Sequence, residues 1–156
     1  MEAMLAFPSL QEVAHMDRVA AASVRLERAD DLPAILEAAF DAFDDMLPVI
    51  EAQQDPAGGA FTTFVMSAAF AANGRDAVLF APSLPPSASR GPIADRPGCG
   101  GALEAAIALA GLGRLLDLRL TDASAQAVSP GDRRACIEGA RQARRLVSLL
   151  AGAAGQ

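Results

Sequence analysis

Apolar side chains recur at intervals of three and four through separate stretches of this chain, and nothing else in its sequence restricts the fold as strongly. That period lines them along one stripe of an α-helix, which is stable only against a partner surface. The first stretch opens at Ser9-Leu10-Gln11-Glu12. This is a capping box, in which the Ser hydroxyl accepts from an early backbone N–H and the Glu carboxylate accepts from the N–H of the cap. It predicts a helix from Leu10 to about Arg28, buried along Leu10, Val13, Met16, Val19, Ala20 and Val24. The second opens at Asp30-Asp31-Leu32-Pro33, where a cap, acidic charge and a first-turn proline coincide. Leu32, Ile35, Leu36, Ala39, Phe40, Phe43, Leu47 and Ile50 face inward along it, with Glu37, Asp41, Asp44 and Asp45 on the wet side. Each large apolar side chain buried contributes roughly 1.5 to 3 kcal/mol, so the stripe carries the helix past the kink expected at Pro48 to about Gln54. Ser129-Pro130 opens the last helix, which runs to about Leu150.

Two further stretches are apolar on nearly every side. Residues Ala60 to Ala72 form one, closed by an expected left-handed stop at Asn73-Gly74. Gly101 to Leu116 forms the other, with Ala102, Ala106 and Ala110 as a ridge of small residues suited to close helix packing. A helix apolar all round belongs at the centre of a fold or in an interface, and two of them in so small a chain predict a homodimer. The expected fold is therefore a single all-α domain over residues 1–156, a bundle of about five helices. Asp76 to Ala81 and Leu116-Asp117-Leu118-Arg119-Leu120 also fit short strands, which leaves an α+β layer as the alternative. Between the two apolar helices, residues 82–101 contain five prolines, four glycines and three serines. They predict a long loop, either a disordered or inert extended crossover or a lid or docking segment, cleavable at Arg90 or Arg96, with Leu84 and Ile93 able to turn inward.

Composition excludes several classes of function. All 13 basic residues are Arg, which removes Schiff-base, P-loop and lysine-base chemistry and suits a GC-rich bacterial genome. Ala supplies 36 of the 156 residues and favours helix throughout. A net charge of −6 with no Trp and no Tyr opposes nucleic-acid binding. No basic, apolar leader is visible, and the longest apolar run is too short for a membrane span of ~20 residues. Cys99 and Cys136 stand far apart without a CxxC motif, as reduced thiols of a soluble cytoplasmic protein would.

The chemistry-bearing residues are few. Glu12-x-x-His15 has the spacing used in carboxylate-bridged metal bundles, but such sites need a second copy of the motif. With one histidine in the chain, no metal or other cofactor is expected and His15 is predicted to be dispensable. Gly98-x-Gly100-Gly101 lacks the full spacing of a phosphate loop. Charge is more informative. Residues 1–55 hold twelve acidic and three basic side chains, whereas residues 114–145 hold seven arginines and four acids. Arg134, Arg141 and Arg145 share one helical face and are expected to meet Glu37, Asp41 and Asp44, within the chain or across a dimer. The leading expectation is a non-enzymatic bundle acting through protein–protein contacts as a homodimer. The alternative is a small-molecule-binding protein or enzyme with a pocket among Phe40, Phe43, Phe61, Phe64, Met66 and Phe70, roofed by the 82–101 loop.

Overall fold

The computed structural model describes residues 10–86 and 101–154, with side chains over 18–86 and 101–153. Five helices account for nearly all of it: α1 (Leu10–Arg28), α2 (Leu32–Ala52), α3 (Phe61–Leu79), α4 (Ala102–Gln126) and α5 (Pro130–Ala154). The fold is an all-α bundle, and no strand occurs among the described residues. Neither proposed strand forms. Residues 76–79 continue α3, which buries Phe64, Ser67, Ala71, Gly74 and Val78 at intervals of three and four. Residues 116–120 lie within α4, where Leu116 and Leu120 are buried one turn apart while Leu118 is 58% exposed. Apolar residues two apart had imitated a strand, but only the pair four apart faces the core.

The left-handed stop expected at Asn73-Gly74 is also absent, since no residue described has positive φ. Gly74 instead supplies space. A Cβ there would lie 2.4 Å from Cε1 of Phe43, so the missing side chain lets the α2 ring pack against the α3 backbone. Among the described side chains of α1, from Arg18 on, Val19, Ala22 and Leu26 are buried; Leu10, Val13 and Met16 lie outside them. Ala20 and Val24, expected on the buried face, point outward. The α2 stripe follows the expected pattern, and that helix continues unbroken through the buried Pro48.

Side chains close the starts of α2 and α5 and the end of α1. Asp31 Oδ1 accepts from Ala34 N at 2.9 Å, and Ser129 Oγ accepts from Gly131 N and Asp132 N at 3.1 and 3.3 Å. The α1 C-terminus is held by another helix: Arg119 of α4 donates from Nε to the Leu26 carbonyl at 3.1 Å and from Nη2 to the Ala29 carbonyl. A guanidinium is well placed there, where unpaired carbonyls carry the negative end of the helix dipole.

Packing sets the topology. The most extensive helix contact is α4 with α5; α5 also packs on α3, and α2 touches α1, α3 and α4. Leu120 and Val78 both reach Gly139, while the Val147 tip lies against Gly113 and Pro82 against Gly131. Both α3 and α4 therefore run antiparallel to α5 and parallel to each other. The start of α4 lies at the opposite end of the bundle from Pro82, about 37 Å away along a helix of 25 residues at ~1.5 Å per residue. Of the predicted loop, residues 82–86 and Gly101 are described. Ile93, Arg90, Arg96 and Cys99 lie outside the described residues.

Candidate interaction surface

The six Phe and Met residues expected to line one pocket divide between core and surface. Phe43 and Phe64 are fully buried, and Phe40 is 9% exposed beside them. Phe61 is half-buried at the start of α3, Phe70 is half-buried further along, and Met66 is 45% exposed. Helical spacing explains the division: Met66 and Phe70 are four apart and share a face that Phe64 does not. That face borders α5. Together Met66, Phe70, Arg141, Arg144, Arg145, Ser148 and Leu149 line an open groove between the two helices.

The groove thus joins members of two residue sets that the sequence had kept separate, Met66 and Phe70 with Arg141 and Arg145. Reading the sequence missed Arg144, Ser148 and Leu149. Arg144 lies three positions beyond Arg141 and Leu149 four beyond Arg145, so α5 periodicity contained the signal. Arg141 Nη1 pairs with Glu138 Oε1 at 2.5 Å and Arg144 Nη1 with Asp117 Oδ1 of α4 at 2.7 Å. Both arginine side chains remain about half exposed, at 49% and 53%, so these pairs hold their guanidiniums weakly. Arg145 and Arg134, both exposed, have no ion pair among the described residues.

The α2 carboxylates turn to other partners. Asp44 Oδ1 accepts from Arg75 Nη1 of α3 at 3.0 Å, and Asp45 Oδ2 from Arg25 Nη2 of α1 at 3.2 Å. Burial pushes the Asp45 carboxyl above its ordinary value, while Arg25 and Arg18 pull it back. Glu37 and Asp41 line a second groove between α1 and α2 with Val24, Arg25 and Arg28. The expected meeting of Arg134, Arg141 and Arg145 with Glu37, Asp41 and Asp44 is not made within the chain among the described residues, where Arg141 pairs with Glu138 instead. The bundle places α2 against α1, α3 and α4, and α5 turns its arginines outward.

Two buried polar features lie near the start of α5. Asp132, 2% exposed, accepts from Ser83 N at 2.9 Å and Ser83 Oγ at 2.6 Å, which fixes the segment leaving α3. One turn on, Cys136 is a fully buried free thiol whose pKa is pushed up to about 11 by burial and then by Asp132. Such a thiol is a poor nucleophile near neutral pH. Among the described residues no group of three His, Cys, Asp or Glu side chains is placed to hold a metal ion. Glu12 and His15 fall in the part of α1 whose side chains are not described. Comparison with protein-family models, curated proteins and solved structures gives no match.

Proposed function

We propose that this protein is a non-enzymatic helical bundle that works through protein–protein contacts, receiving an acidic amphipathic helix of a partner in the α3/α5 groove and associating with a second copy. The observation that carries this reading is the convergence of Met66, Phe70 and Leu149 with three arginines in one open groove. From Arg141 to Leu149 the groove follows about two turns, or ~12 Å, of α5, which suits the apolar face of a docked helix with carboxylates at its edges. The open form gives a compact small molecule few walls, which favours a helix as occupant. The net charge of −6 weighs against a nucleic-acid partner. No helix among the described residues is long and apolar enough to cross a membrane, and the free Cys136 thiol suits the cytoplasm.

Fluorescence anisotropy tests the groove with a labelled helical peptide of about four turns, carrying Leu along one face and Glu on the rest. The expected result is micromolar binding that weakens with salt, no binding of the matching Lys peptide, and a loss of roughly tenfold or more in Arg145→Glu. Binding that ignores both the peptide charge and Arg145→Glu contradicts the proposal.

A further inference from the structure

The outer face of α4 carries large apolar side chains that no other helix of the bundle covers. Leu103, Ile107 and Leu118 are 55%, 57% and 58% exposed. Gly111 lies among them, and a Cβ built on it meets nothing within 4 Å, so the face has a gap at its middle. Two charges flank that gap. Arg114 is exposed and has no ion pair among the described residues. Glu104 is exposed as well, with Oε1 accepting from Gly101 N at 3.2 Å.

We infer that the occupant of this face is α4 of a second copy, packed antiparallel about a twofold axis near residue 109. Residues 107 and 111 are equidistant from that point, so each Ile107 seats over the partner's Gly111. Residues 104 and 114 have the same midpoint, so the same axis sets Glu104 opposite the partner's Arg114. Positions 104, 107, 111, 114 and 118 alternate in steps of three and four, the spacing of the seam in an antiparallel helix pair. One register thus satisfies the shape at Ile107 and Gly111 and the charge at Glu104 and Arg114. A twofold contact requires such self-complementarity, because the same patch serves both copies. The inference rests on the proposal that the protein associates with itself, and it specifies the surface used.

Sedimentation equilibrium of the full chain at several concentrations tests it. The wild type is expected to be a dimer at micromolar concentration, and Ile107→Asp a monomer. Gly111→Gln, a better helix former that leaves the fold intact, is expected to lose the dimer because the seat for Ile107 is filled. Glu104→Arg and Arg114→Glu should each weaken the dimer roughly tenfold by juxtaposing like charges, and the double reversal should restore it to within about threefold. A wild-type monomer at every concentration overturns both the register and self-association. A dimer indifferent to all four single changes overturns the α4 register and leaves self-association standing.

Discussion

At Gly74 the ring of Phe43 occupies the space in which any other residue would carry a Cβ, and the ring is itself fully buried. Gly74→Ala should therefore destabilise the protein, although Ala is the better helix former. Overpacking costs about 1 to 3 kcal/mol, against a gain of ~1 kcal/mol in helix propensity. The melting temperature should fall by roughly 2 to 4 °C for each kcal/mol of net loss, and a melt at or above that of the wild type contradicts this packing. Cys136 gives a second test at this scale. Its raised pKa means that the folded thiol resists ionisation, while the unfolded thiol ionises nearer the ordinary value of 9.0. The favourable contribution of the protonated thiol is intact below pH 9.0 and is lost as pH rises towards about 11. Alkylation at pH 8 followed by peptide mass mapping should leave Cys136 unmodified in the folded chain and label it in denaturant. Rapid labelling of the native protein contradicts its burial.

Helix identity was legible wherever a cap and a one-sided stripe coincided. Asp31 before α2 and Ser129 before α5 make the hydrogen bonds that their positions imply. Ends were less legible in α3 and α4, where apolar residues on several sides blur the period and tertiary packing decides. Gly74 reads locally as a stop, yet Phe43, distant in sequence, turns it into a packing position. The groove was half legible: Arg141 and Arg145 follow from α5 periodicity, but their meeting with Met66 and Phe70 depends on the antiparallel register of α3 and α5. The Asp132–Ser83 bond, 49 residues apart in the chain, has no local signal at all. Asp132→Ala should cost about 1 to 3 kcal/mol, because it leaves the part-buried Ser83 N–H and O–H without their acceptor. Urea denaturation measures this, and an unchanged midpoint would show that the anchor contributes nothing.

Across the whole molecule, pairing within the chain separates the charged surfaces into spent and available. The α2 carboxylates Asp44 and Asp45 are engaged by Arg75 and Arg25, whereas Arg134 and Arg145 on α5 remain unpaired among the described residues. An acidic protein with an available basic groove repels most acidic partners at long range. It retains those whose apolar face also fits, because short-range burial then adds to screened attraction. Docking in this groove is tested residue by residue through backbone amide chemical shifts during titration with the acidic helical peptide. Perturbations are expected to concentrate at residues 66–70 of α3 and 141–149 of α5 and to be lost in Arg145→Glu. Perturbations centred on the α1/α2 groove around Glu37 and Asp41, or none at saturating peptide, would contradict it.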